Sequence, residues 1–221
     1  MNGGIVVSRY LSRAKDPWSS MTHLWGAVLS LVGTILLVGR GLQQGAGPDL
    51  ISAAAVFGFS LMALYTASAT YHYVRAAPNV NLILRKLDHS MIFVLIAGTY
   101  TPILAFIIPA PGSTVIMAAI WAITAAGIIM KMIWMNAPRW LYTLFYVLMG
   151  WGIAAELPYI YGISPGCAVW MVIGGILYTI GAVMYAVKKP NILSGFGFHE
   201  IFHVFIILGS VGHYIAIAFY V

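Results

Sequence analysis

Seven apolar runs organise the chain, at about residues 20–40, 50–73, 88–109, 113–134, 139–159, 166–187 and 198–220. Each is near the roughly 20 residues that cross a bilayer as a helix. Turn-forming connections separate them: Gly45 to Pro48, Ala76 to Asn81, Pro109 to Ser113, Asn136 to Pro138, Pro158 to Gly166 and Lys188 to Gly197. There is no internal repeat and no low-complexity segment. The pattern predicts an all-α integral membrane protein. Residues 1–221 form a single seven-transmembrane-helix bundle, with 1–19 as a cytoplasmic segment ahead of the first span.

Composition excludes a soluble domain. The chain is 62% hydrophobic and 7% charged, whereas soluble domains carry about 25% charged residues. Its net charge of +6 would suggest nucleic acid in a soluble protein. Here it reads as membrane orientation, and no nucleic-acid partner is expected. With the N-terminus in the cytoplasm, the inner side receives Arg9, Arg13, Lys15, Arg75, Arg85, Lys86, Lys131, Arg139, Lys188 and Lys189. The outer side receives only Arg40. That bias puts the C-terminus outside and the protein in the cell's inner (plasma) membrane as a multi-pass chain. An even number of spans would put Lys188 and Lys189 on the wrong side. No small-residue cleavage site follows the first run, which is read as a retained helix. The single cysteine, Cys167, allows neither an intrachain disulfide nor a thiolate cluster. A metal site would therefore use His, Asp or Glu.

The polar residues gather at one level. His199 and His203 lie four apart, one helical turn and about 5–6 Å between Cβ atoms. That spacing suits two imidazoles on one metal ion. Ser68 and His72 repeat it. With alternating spans, Ser68 and His72 end the second run inside, Asp88 and His89 open the third, and Asp16, Ser19 and His23 open the first. Five of the six histidines thus share the inner level, and His213 lies roughly 15 Å deeper at about 1.5 Å per residue.

Each residue also has a plainer role. Asp88 would complement the dipole at a helix N-terminus, and His72 would bond a backbone carbonyl at the interface. His89 is expected to face the headgroups. Asp16, followed by Pro17, reads as an N-cap. Glu200 lies about 100° round the helix from His199 and contacts a neighbour or the interface. His213 reads as a hydrogen-bonded bundle histidine and Glu156 as solvated; His23 is open.

Three imidazoles from two helices leave a fourth position on zinc, the pattern of a catalytic rather than a closed structural site. Zinc would lower the pKa of its water to about 7 and polarise a carbonyl. Asp88 would hold that water as general base, and Ser68 would orient it or donate to a developing oxyanion. Walled by helices at the inner leaflet, the site would receive a lipid acyl group. The same ion could instead tie the second, third and seventh helices together.

The chain resembles the bacterial haemolysin III proteins of the progestin and adipoQ receptor family. The matching pieces are Asp16-Pro17-x-Ser19-x-x-Thr22-His23, Ser68-Ala69-Thr70-Tyr71-His72, and Lys86-Leu87-Asp88-His89 running into Ala97-Gly98-Thr99-Tyr100-Thr101-Pro102. They continue with Met149-Gly150-Trp151, Tyr178-x-x-Gly181-x-x-x-Tyr185, and His199-Glu200-Ile201-Phe202-His203 with His213 ten residues on. The resemblance implies zinc on His72, His199 and His203, with Asp88 at the zinc water and Ser68 beside it. It implies ceramidase-like hydrolysis of a lipid amide or ester. Membrane lipid is the expected partner and substrate. Many family members carry Glu and Asn where this chain has Asp16 and Ser19. Two other functions are a non-catalytic membrane sensor or homeostasis protein with structural zinc, and a pore-forming cytolysin. The short loops and apolar helices argue against a secreted toxin.

Overall fold

A computed structural model describes residues 10–192 and 196–221. Arg9, used above for orientation, lies outside the described residues. Among them, every predicted span is helical. The helices are α1 (Pro17–Gln43), α2 (Pro48–Tyr73), α3 (Pro78–Phe106) and α4 (Gly112–Ile133). There follow α5 (Arg139–Gly150), α6 (Leu157–Ile163), α7 (Pro165–Val187) and α8 (Phe198–Tyr220). With α5 and α6 taken together, seven segments are long and apolar enough to cross a membrane. The protein is an all-α, seven-span membrane bundle.

Proline opens α1, α2, α3 and α7, where its missing N–H costs no helical bond. Large apolar side chains face outward, among them Phe59, Val115, Ile129, Ile133 and Val183. In a bilayer these meet lipid, so the outward face needs no polar stripe. The centre is α3, which packs on α2, α4, α5 and α8. Phe93, Ile96, Tyr100, Ile103 and Leu104 on it join Phe57, Leu61 and Tyr65 of α2 in the buried core.

Two expectations are corrected. The third helix begins at Pro78, ten residues before the run starting at 88. Arg85 and Lys86 hide those turns from an apolar window, but the backbone continues through them. Asp88 is therefore inside the helix, and its carboxylate is not at an N-terminal dipole. The fifth span is broken. Helix α5 stops at Gly150, a 3-10 turn covers Ala154–Glu156, and α6 resumes at Leu157. Tyr100 of α3 occupies the break. Its hydroxyl donates to the Met149 carbonyl at 2.8 Å and accepts from the Ile153 N–H at 3.3 Å. Irregular backbone at membrane depth persists only when such partners replace the helical ones. The Trp151 indole N–H, donating to Thr179 Oγ1 at 2.9 Å, pins the same break to α7.

Helices α7 and α8 approach through small residues. A Cβ on Gly212 would lie 3.1 Å from the Gly174 Cα, and one on Gly174 would lie 2.9 Å from the Gly209 carbonyl oxygen. Backbones this close gain packing that larger side chains forbid. Gly212→Val should destabilise the bundle by about 1–3 kcal/mol through overpacking. Unfolding of the detergent-solubilised protein by denaturing detergent measures this, and an unchanged midpoint would contradict the close approach.

Candidate metal centre

The first turn of α1 builds the site by binding two other helices. The Asp16 and Lys15 N–H groups donate to the His72 and Tyr73 carbonyls at 2.8 and 3.1 Å. These are carbonyls at the end of α2 that have no helical partner. Ser20 Oγ donates to the Ala69 carbonyl at 3.0 Å, one turn back on α2. Towards α8, Ser19 Oγ donates to Glu200 Oε1 at 2.6 Å. The other oxygen, Glu200 Oε2, accepts the Gly197 N–H at 2.8 Å and so caps α8. Glu200 thus meets a neighbouring helix, as expected.

His72, His199 and His203 then converge. One nitrogen of each lies within 4.8 Å of those of the others. Ligand nitrogens on a tetrahedral zinc ion stand about 3.4 Å apart, given Zn–N bonds of about 2.0–2.1 Å. His72 and His199 bring their Nε2 atoms to 3.2 Å. The partners of the other nitrogens assign the protons. His72 Nδ1 lies 2.9 Å from Asp16 Oδ2, and His203 Nδ1 lies 3.1 Å from the Ser19 carbonyl oxygen. Both oxygens accept, so both Nδ1 atoms carry hydrogen, which in the neutral imidazoles leaves both Nε2 atoms as acceptors. Lone pairs gathered this way repel unless a cation or a proton lies among them. The donor set therefore fits a metal ion that suits imidazole.

Asp16 corrects its expected role. It stands at the N-cap position, but its side chain makes no cap hydrogen bond. The carboxylate is turned to His72, whose ring it orients. The hydrogen bond from His72 is the main cause holding the Asp16 carboxyl below its usual range. The contact therefore persists at neutral pH and is lost as the pH falls through that depressed value. Beside it, burial lowers the Lys15 ammonium below its ordinary pKa.

Asp88 and Ser68 reach the same place from α3 and α2. Both are buried, and the Ser68 hydroxyl hydrogen-bonds the Asp88 carboxylate. They line a cavity of about 160 Å³ together with His199, His203 and His23. That is room for on the order of ten waters. Its walls mix apolar side chains, including Ile92, Ile96, Val147 and Ile206, with polar and charged ones, among them Arg85, Thr99, Lys131 and Arg139.

His89 does not face the headgroups as expected. It turns inward, accepting from Lys131 Nζ at 3.1 Å, with Nε2 4.0 Å from Asp88 Oδ2. Lys131 had been counted with the loop cations, yet it is fully buried in α4. Its signal was its position inside the fourth apolar run, where a charge is costly and marks function. His23 is buried and stacks on His203, with ring centroids 3.6 Å apart. Among the described residues, neither of its nitrogens has a hydrogen-bond partner. His213 is not the satisfied histidine that was expected. Among the described residues its Nδ1 has no hydrogen-bond partner, and the residue lines the same cavity. Glu156 sits in the 3-10 turn of the fifth span.

Loss of the partner behind a ligating imidazole typically lowers metal affinity about 10–100-fold. Asp16→Ala should therefore weaken the binding of an added divalent metal ion such as zinc by that factor, with the same number of ions held at saturation. Competition with a fluorescent chelator measures it; unaltered affinity would mean that Asp16 does not support the ligand.

Relatedness agrees with this geometry. A family model described as Haemolysin-III related matches residues 11–214, a stretch that contains all three converging histidines. The chain is 33% identical to Hemolysin-3 of Bacillus cereus over 204 residues, covering 92% of this chain and 90% of that protein. It is 30% identical to the Hemolysin-3 homolog of Bacillus subtilis (strain 168) over 203 residues, covering 91% and 92%. The monocyte to macrophage differentiation factor of Homo sapiens is 25% identical over 203 residues, covering 89% and 80%. A match over nearly the whole chain, on a seven-span bundle with a histidine group able to hold a metal, places this protein in the haemolysin III-related family.

Proposed function

We propose that the protein is a zinc-dependent hydrolase of an amide or ester bond in a membrane lipid. The observation that carries this reading is the convergence of three imidazoles, two of which, His199 and His203, line a largely apolar cavity together with Asp88 and Ser68. His72, His199 and His203 would hold the ion. Bound there, zinc supplies a Lewis acid for the acyl carbonyl and lowers the pKa of a water to about 7.

The chain's own residues do the rest. Asp88 accepts a hydrogen bond from the attacking water, takes its proton and returns it to the leaving group. Ser68, by donating to Asp88, keeps the carboxylate aimed. Asp16 and the Ser19 carbonyl hold two of the imidazoles in one tautomer. The apolar walls admit an acyl chain and limit water. Lys15, Arg75, Arg85, Lys86, Arg139, Lys188 and Lys189 at this end of the bundle support a site near the cytoplasmic leaflet of the plasma membrane.

A second reading has its own observation. The histidines come from α2 and α8 and are braced by α1, so a metal there would also clamp three helices. In that case the protein is a sensor or homeostasis factor whose metal is structural. The name of the Bacillus cereus relative refers to haemolysis, but seven apolar spans favour a resident membrane protein over a secreted toxin.

The test begins with zinc content, by mass spectrometry, of purified wild type beside His199→Ala. One zinc per chain is expected in wild type and none in the variant. Asp88→Asn should keep its zinc and lose about 10²–10⁴-fold in turnover of fluorescent acyl lipids. Full activity in that variant would overturn the proposed base. A melting temperature that falls on chelation, with no lipid turned over, would favour the structural metal. Zinc-independent dye release from liposomes would favour the cytolysin.

A further inference from the structure

Lys131 is a buried cation that the proposed chemistry does not use. Its side chain is fully buried. Its ammonium lies 2.9 Å from the centroid of the Tyr142 ring and 3.1 Å from His89 Nδ1. Among the described residues it forms no ion pair with a carboxylate. An ammonium offers three N–H donors. A ring face and one imidazole nitrogen do not compensate a full charge removed from water. An anion joining it would supply the charge-assisted hydrogen bonds that they lack.

Two more cations share its cavity. Arg85 stands three residues before Asp88 and four before His89 on α3, one turn away on the same face. Arg139 opens α5, its guanidinium 4.5 Å from the centroid of the Tyr185 ring. Arg85, Lys131 and Arg139 all line the cavity, and among the described residues Asp88 is the only carboxylate that lines it. The lining is thus +3 against −1, before any metal adds its charge. Arg85 is exposed to solvent and Arg139 half-buried, so it is the buried Lys131 that a lipid with a neutral head would leave without an anion.

From this we infer that Arg85, Lys131 and Arg139 form a phosphate subsite beside the histidine centre, so that the lipid taken is a phospholipid acyl ester. The inference rests on the lipid-hydrolase reading above and names its substrate class. Phosphate suits the subsite better than a carboxylate does. Its oxygens are arranged tetrahedrally and can meet donors arriving from α3, α4 and α5 together. Guanidinium pairs with it by two parallel hydrogen bonds, and ammonium acts as a point charge. The reaction balances as simple hydrolysis. The oxygen of water joins the acyl carbon, the ester C–O bond breaks, and the leaving alkoxide takes a proton. A fatty acid and a lysophospholipid result.

Binding is read separately from turnover, on zinc-loaded Asp88→Asn protein in detergent. The probes are phosphatidylglycerol, diacylglycerol with the same acyl chains, and inorganic phosphate. Phosphatidylglycerol should bind about tenfold or more tightly than diacylglycerol, from charge-assisted hydrogen bonds. Adding Lys131→Gln or Arg139→Gln should each abolish most of that preference, Lys131→Arg should keep it, and zinc content should stay the same throughout. Equal binding of the two lipids would overturn the inference. So would a preference that survives both glutamine variants, which together cover the case in which one fails to fold. Displacement of phosphatidylglycerol by low millimolar inorganic phosphate would mean a site for the free ion and would overturn the lipid assignment. Because no turnover is needed, an inactive enzyme with an intact headgroup preference would count against the hydrolase alone.

Discussion

Everything at the site depends on the first turn of α1 being bonded to the end of α2 and the start of α8. Two backbone N–H groups close the free carbonyls of His72 and Tyr73, and Ser19 reaches Glu200 across to α8. A helix end within a membrane cannot leave such groups unpaired without large cost. Satisfying them brings Asp16 against His72 and the Ser19 carbonyl against His203. The imidazoles are therefore oriented by the same contacts that hold three helices together. Structural and chemical roles share these residues, which is why the clamp and the enzyme remain competing uses of one geometry.

The second organising feature is the break in the fifth span. A continuous helix there would run past Tyr100 without offering it a partner. The interruption lets one tyrosine hydroxyl serve Met149 and Ile153, and lets Trp151 reach α7. Gly150 and Trp151 at the break line the same cavity as the histidines. The close approach of α7 and α8 at Gly174 and Gly212 holds His213 against that cavity from the other side. The cavity thus exists because one span is irregular and another pair is unusually close.

Charge divides into two kinds at this end of the bundle. Lys15 and Asp16 lie near the surface and partner one another or a histidine. Asp88, His89 and Lys131 contact one another in turn, and among the described residues they form no ion pair with an exposed side chain. Such buried polar rows are costly unless every member is satisfied, and a bound ligand is one way to satisfy them. This is the common ground of the metal reading and the phosphate reading, and it explains why so few charged residues are placed so close together in a chain that is 7% charged.

Periodicity and length alone determined the seven spans, because a bilayer demands about 20 apolar residues per helix whatever the tertiary contacts. The spacing of Ser68 with His72 and of His199 with His203 was equally legible, since helical geometry is local. What the sequence could not decide was direction. Asp16 looks like a cap, and only the position of His72 shows that its carboxylate turns elsewhere. His89 and Lys131 look like interfacial residues, and only the packing of α3, α4 and α5 turns them into a cavity. The start of α3 at Pro78 was masked by two basic residues, and the break after Gly150 required a partner on another helix. In each case the deciding term was a hydrogen bond or burial between segments far apart in the chain. No local pattern encodes such a contact, so the tertiary structure had to supply it.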